Sequence, residues 1–444
     1  MNLKSGGSPP ARPEWTSERA FIISSVAAAV GLGNLWRFPY MVGENGGGTF
    51  IVCYFICILA VGLPLFVLET TAGSLTDRGP VGVFRRISGG WGPGLGWFIV
   101  ALTVVVMSYY FVITGWTLGY LVDSIRGDLS QFEDFTAGYA SIWYFLAVGA
   151  LVFLVLRLGT LGVERLSKVL MPALVVMVAL LAIHSQTLPG AGEAMAFYTS
   201  FDLARFLDPQ TWRMAAGQAF FSLGVGTGVL ITYGSYIPRN VNILASSAAV
   251  AVTNSAISLT AGIAVFSIIY TFGIAPDSGS QLSFTAFPQV FDDMVGGRAL
   301  APFFFASLFV AAFSSCYSVL QVAMAPLQYE LGFSKNTAAL LTTGTTIALG
   351  IPSALSFTPV DLSFGGRPFL EWVDQVTGSG VGVVVGIGGA ALIAWLFPPR
   401  AMIEEMTSGW WQTGPVRILP QGAIELGRYM PLAALAVLVV TTVL

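Results

Sequence analysis

Apolar residues run through this chain in long blocks, separated by short stretches rich in Gly, Pro and charge. A helix needs about 20 mostly apolar residues to cross a bilayer. Eleven stretches qualify: roughly 20–42, 47–75, 94–122, 139–156, 164–184, 212–236, 241–273, 299–329, 336–352, 369–397 and 429–444. They are numbered here as spans one to eleven. Those longer than 25 residues are expected to tilt or protrude. The pattern predicts an all-α integral membrane protein of about 11 transmembrane helices. Residues 1–19 form a polar N-terminal segment without a cleavable leader pattern. The loops 185–211 and 274–298 are long and semi-polar, suited to partial external lids.

Spans one and six carry interruptions. Span one holds Gly31-Leu32-Gly33-Asn34, and span six holds Ser222-Leu223-Gly224-Val225-Gly226-Thr227-Gly228. Five spans separate them, the spacing expected when a broken helix opens each half of an inverted repeat. The implied organisation is a ten-helix core over 20–397, with repeats 20–184 and 212–397, followed by a cytoplasmic loop and eleventh helix over 398–444. A backbone opened in hydrocarbon leaves carbonyls and amides that must find partners. Carbonyls can then hold a cation, while helix N-termini face an anion.

Composition narrows the class further. Of 444 residues, 55% are hydrophobic and 10% charged, against about 25% charged in soluble domains. The net charge of −3 offers no basic surface for nucleic acid. With the N-terminus inside, fourteen of the twenty Lys and Arg fall on cytoplasmic segments and five on outer ones, Arg37 being the twentieth. That bias orients the N-terminus to the cytoplasm and, with eleven spans, the C-terminus outside. Cys53, Cys57 and Cys316 lack metal-binding spacing and suit packing. His184 sits at the end of an apolar run and has no partnered nucleophile, which argues against an enzyme. No ring-forming filter motif suggests a channel.

The stretch SSVAAAVGLGNLWRFPYMVGENGGGTF (24–50) resembles the first-helix signature of the neurotransmitter:sodium symporters. The likeness continues through YYFVITGWTLGY (109–120), GQAFFSLGVGTG (217–228), ITYGSYI (231–237), FSSCYSVLQ (313–321) and EWVDQVTGSG (371–380). It covers nearly the whole chain from Trp15 onward and implies a bacterial amino-acid transporter of the leucine-transporter fold in the plasma (inner) membrane. Such a protein would import a neutral, largely hydrophobic amino acid with sodium by alternating access. The alternative is a related zwitterion such as an ω-amino acid, taurine or a betaine.

The resemblance also implies a site. A first sodium ion would use Ala29, Asn34, Ser222 and Asn254 with the substrate carboxylate. A second would use Ala27, Val30, Ala311, Ser314 and Ser315. These are neutral oxygen donors of the kind a hard cation takes. Ala28 departs from the small polar residue usual there. Chloride would sit among Tyr54, Gln218, Ser222 and Ser258, because no acid lies in spans six or seven. The substrate would contact Ala29, Gly31, Leu32, Gly33, Val106, Met107, Tyr110, Phe221, Ser222, Gly224, Thr227, Ser315 and Val319. Gly31, where monoamine carriers have aspartate, leaves space for a carboxylate. Arg37 and Asp374 would form an outer gate. Arg12, Trp15, Tyr236 and Glu330 would form an inner one, with Tyr329 where the family's acid usually stands. Glu69 would accept from the opened backbone of span six. The Gly162-x9-Pro172 spacing would permit unwinding of span five; its alternative is a helix start followed by a proline kink.

Overall fold

The computed structural model describes residues 14–239, 241–275, 287–294, 296–407 and 418–443. The described chain is helical nearly throughout; its strands are a two-residue hairpin, Ser363–Phe364 against Arg367–Pro368. Every one of the eleven apolar stretches carries helix. Five helices are long and apolar enough to cross a membrane unaided: Gly48–Thr76, Gly92–Arg126, Thr160–Ser185, Ile243–Thr271 and Gly297–Tyr329.

Local chemistry explains where these helices start and bend. Ser17 caps span one by accepting from the Ala20 amide at 3.1 Å, which satisfies one of the donors left free at a helix start. The two halves of span one, Glu18–Ala29 and Gly33–Glu44, meet at 57°. Span two widens into a π-type turn at Ile58–Gly62 just before Pro64. Proline lacks an amide and clashes with the preceding turn, and the wider turn absorbs both. Span ten also widens into a π-type segment, over Asp374–Val381, without a proline in it.

One boundary differs from expectation. Span eleven is the latter part of a longer helix, Ile418–Val443. Residues 418–428 contain Glu425 and Arg428, which pair at 3.1 Å one turn apart. Their charges hide the helix from a hydropathy reading. Short amphipathic helices outside the spans, Pro80–Ile87 and Pro399–Met406, escape it for the same reason.

Span three runs through the middle of the bundle and packs on spans four, eight and nine. The loop 185–211 folds into Ala191–Tyr198 and Leu203–Leu207, and the Tyr198 hydroxyl ties it to the Leu259 carbonyl of span seven at 3.0 Å. Of the loop 274–298, the helix Phe287–Asp293 is described, while residues 276–286 lie outside the described residues. Span five is helical through both Gly162 and Pro172, with the proline inside the helix.

Candidate functional site

The first break is built from Val30 to Gly33. The helix ends at Ala29, Val30 is extended (φ −80°, ψ 109°), and coiling resumes at Gly33. The freed amides find side chains: Gly31 N–H donates to Asn34 Oδ1 at 3.1 Å, and Leu32 N–H to the Tyr110 hydroxyl at 3.0 Å. Both are deep in the core, where an unpaired amide would be costly. A Cβ at Gly31 would lie 2.6 Å from Ser315 Oγ and 2.7 Å from the Tyr110 hydroxyl. A side chain there would have to displace the hydroxyl of Ser315 or of Tyr110.

The second break separates Pro209–Leu223 from Val229–Gly234. Gly224, Gly226 and Gly228 have φ of +67°, +84° and +78°, a region L side chains rarely enter. Glu69 accepts from the Gly226 amide at 2.9 Å, while its second oxygen has no hydrogen-bond partner. The Thr227 hydroxyl folds back to the Gly224 carbonyl at 2.7 Å.

Between the breaks lies a buried polar cluster. Asn34 Nδ2 donates to Asn254 Oδ1 at 2.8 Å and to Ser258 Oγ at 2.7 Å, and lies 3.2 Å from Ser222 Oγ. Asn254 Nδ2 reaches Ser222 at 2.7 Å, and the Tyr54 hydroxyl reaches it at 3.2 Å. The cluster thus joins spans one, two, six and seven. Its groups carry no formal charge and are rich in hydroxyl and amide oxygens, a donor set that fits sodium. Tyr54, Ser222 and Ser258 also supply the neutral O–H groups an anion would need. Gln218 is committed elsewhere: its Nε2 donates to the Gly33 carbonyl at 2.9 Å.

A second group of oxygens forms where span eight crosses the end of the first helix half. Ser315 Oγ is 3.2 Å from the Val30 carbonyl, 3.3 Å from that of Ala311 and 3.5 Å from that of Ala28. Ser314 donates to the Ala311 carbonyl at 2.8 Å. Ala27 and Ala29 are buried in the last turn beside them. Span three brings Val106, Met107 and Tyr110 to one face, with Val319 buried on span eight. Phe221 lies against Gly33 and beneath Arg37, whose guanidinium is 5.0 Å from the ring.

The outer pair is not joined. Arg37 donates to Gln218 Oε1 at 2.5 Å, and Asp374 accepts from the Tyr109 hydroxyl at 2.7 Å. Each is hydrogen-bonded to a different neutral side chain. On the opposite side, Trp15 and Tyr236 do meet. The Trp15 amide donates to the Tyr236 carbonyl at 2.9 Å, its indole N–H to the Tyr233 carbonyl at 3.1 Å, and its ring packs edge-on to both tyrosines. Glu330 is not part of this contact: it pairs with Arg85 at 2.5 Å, because the amphipathic helix Pro80–Ile87 brings that arginine alongside. Arg12 lies outside the described residues. Access is unequal: Phe221 is 42% exposed, whereas Trp15 is 2% exposed.

Two contacts were not foreseen. Glu164 binds the N-terminal segment through the Thr16 amide at 3.0 Å and the Thr16 hydroxyl, with Lys168 at 2.6 Å. An acid at the start of an apolar span was the available signal. Thr103 donates to the Thr227 carbonyl at 2.8 Å; its signal was a hydroxyl on the face of span three that carries Val106 and Tyr110.

Comparisons with known proteins agree with this geometry. The family model described as "Sodium:neurotransmitter symporter family" matches residues 12–135 and 134–410. An uncharacterized sodium-dependent transporter of Bacillus subtilis is 33% identical over 421 residues, covering 89% of this chain and 90% of its own. A similar transporter of Haemophilus influenzae is 30% identical over 417 residues, covering 88% and 91%. The sodium- and chloride-dependent GABA transporter 2 of Macaca fascicularis is 26% identical, covering 89% and 74%. The crystal structure of MhsT in complex with L-phenylalanine superposes with a TM-score of 0.87 at 33% identity, covering 96% of this chain and 99% of that one. The chain is a multi-pass membrane protein with broken helices and belongs to the sodium:neurotransmitter symporter family.

Proposed function

We propose that the protein imports a neutral, largely hydrophobic amino acid coupled to sodium, by alternating access. The observation that carries this reading is the cluster of neutral hydroxyl and amide oxygens from Asn34, Ser222, Asn254 and Ser258 between two opened backbones. Asn34, Ser222, Asn254 and the Ala29 carbonyl would hold one sodium ion together with the substrate carboxylate. The carbonyls of Ala27, Val30 and Ala311 with Ser314 and Ser315 would hold a second. Tyr110 accepts from Leu32 N–H and so keeps its own hydrogen to give to a carboxylate. Val106, Met107, Gly224, Thr227 and Val319 offer a mostly apolar surface to the side chain, with Phe221 as its cover. That a relative of the same fold binds L-phenylalanine supports this substrate class.

Sodium and carboxylate would neutralise each other, so each raises the affinity for the other by a shared coupling free energy. Chloride among Tyr54, Ser222 and Ser258, with Gln218 beside them, would supply the negative charge that the described residues of spans six and seven lack. Residues 1–19 would lie in the cytoplasm and the C-terminus outside, with the repeats 20–184 and 212–397 moving against each other.

The test is uptake of labelled L-phenylalanine by the full chain in proteoliposomes. The reading requires accumulation driven by an inward sodium gradient and abolished in choline, with a further loss when gluconate replaces chloride. Equal uptake in chloride and gluconate would remove the chloride part alone. Competition by GABA, taurine or a betaine in preference to L-phenylalanine would favour the related-zwitterion alternative.

A further inference from the structure

Apart from Thr103, the Ser and Thr hydroxyls of the helix Gly92–Arg126 donate within their own helix. Ser108 donates to the Val105 carbonyl, Thr114 to Tyr110, Thr117 to Thr114 and Ser124 to Leu121, the usual fate of a helical Ser or Thr in an apolar setting. Thr103 is different. It is 4% exposed, and its hydroxyl crosses to the Thr227 carbonyl at 2.8 Å. That carbonyl belongs to the open stretch of span six, where no helical amide is available to it.

The stretch is held on its other sides as well. Glu69 takes the Gly226 amide. Gly226 lies so close to span ten that a Cβ on it would stand 2.1 Å from the Gly386 Cα, and a Cβ on Gly386 would stand 2.8 Å from the Gly226 Cα. Ile99, one turn before Thr103, lies beneath Gly228, where an added Cβ would meet its Cγ2 at 3.0 Å. Of these supports, two are made by a single side-chain oxygen, from Glu69 and from Thr103, and the Thr103 bond is the one that comes from the helix that also holds Leu32.

The same face of span three carries Tyr110, which holds the other break through the Leu32 amide. Thr103 and Tyr110 are seven residues apart, two helical turns or about 10 Å of axis, and Val106 and Met107 lie between them. We infer that Thr103 is a specificity-determining positioning residue: by pinning the Thr227 carbonyl to the helix that also holds Leu32, it fixes the depth of the side-chain pocket between the two breaks. This rests on the proposed reading of Val106, Met107, Gly224 and Thr227 as the pocket wall.

The experiment compares KM for sodium-driven uptake of L-alanine and L-phenylalanine by the full chain and by T103V, T103S and G386A. T103V removes the hydroxyl at nearly constant volume and frees the stretch. The ratio of the two KM values changes by about three- to tenfold, the span of a single neutral hydrogen bond. T103S keeps the hydroxyl and restores the ratio to within about twofold. G386A presses the stretch away from span ten and raises KM for phenylalanine more than for alanine; it decides the matter if T103V does not fold. An unchanged ratio in folded T103V, or an equal proportional loss for both substrates, overturns the inference while leaving the proposed function standing. Absence of sodium-driven uptake of any amino acid by the unaltered chain overturns the function and the inference together.

Discussion

Arg37 reaches the side-chain oxygen of Gln218 at 2.5 Å, and the other end of that amide donates to the Gly33 carbonyl at 2.9 Å. The arginine is thereby tied to the first break through a neutral intermediary on span six. Asp374, its expected partner, is held by Tyr109. An outer ionic contact would bring Arg37 toward a carboxylate whose Oδ1 already accepts from Tyr109. Replacing Tyr109 by Phe removes the hydroxyl from Asp374 and leaves it open to Arg37. The expected outcome is a maximal uptake rate lowered about fivefold, with KM unchanged or lower, on the scale of about 1 kcal/mol for the bond. An initial-rate titration with substrate checks it.

Gly31 has no space for a side chain, since a Cβ would stand 2.6 Å from Ser315 Oγ. G31A must displace Ser315 or Tyr110, at a cost of about 1–3 kcal/mol. Sodium-driven uptake is expected to fall by about 100-fold while the thermal unfolding midpoint moves by only a few degrees. Wild-type uptake by G31A would show that the polar groups beside it have no role in binding.

Ser315 is the side chain that links span eight to the carbonyls of Val30 and Ala28. S315A removes a neutral oxygen from that set. Half-maximal activation of uptake by sodium is expected at roughly tenfold higher concentration, the effect of losing about 1.4 kcal/mol. A sodium titration at fixed substrate gives the answer, and an unaltered midpoint would place the second ion elsewhere.

Glu69 uses one carboxyl oxygen, toward Gly226, and leaves the other without a partner. A buried carboxylate without a cation is costly, so an uncharged acceptor should serve as well. E69Q is expected to retain uptake within about twofold. E69A leaves the Gly226 amide unpaired, costs about 1–3 kcal/mol and lowers uptake at least about tenfold. Failure of E69Q alongside E69A would mean that the negative charge itself is needed.

Much of this site was readable in the sequence because it depends on unusual local residues. Glycine triplets in span six and Gly31–Asn34 in span one can hardly sit in an uninterrupted apolar helix, and both mark breaks in the fold. The meeting of Asn34 with Ser222 and Asn254 needed the resemblance as well, since nothing in spacing alone joins spans one and seven. The contacts that escaped depend on packing between distant segments. Thr103 and Thr227 are ordinary threonines until span three is laid against the opened stretch. Glu330 was expected in the inner gate, yet a helix too short and amphipathic to register as a span delivers Arg85 to it. Arg37 and Asp374 were paired through the resemblance, and each is hydrogen-bonded instead to a neutral side chain, Gln218 and Tyr109.

The Thr16–Glu164 contact makes the leading end of the polypeptide a structural member of span five. Glu164 is 3% exposed and receives the Thr16 amide, the Thr16 hydroxyl and Lys168. Because Glu164 stands two residues past Gly162, straightening or loosening that end of the span requires the tail to let go. A segment that must detach before that end of span five can loosen works as a tether, and shortening the chain past Thr16 should leave the transporter leaky to its own cargo.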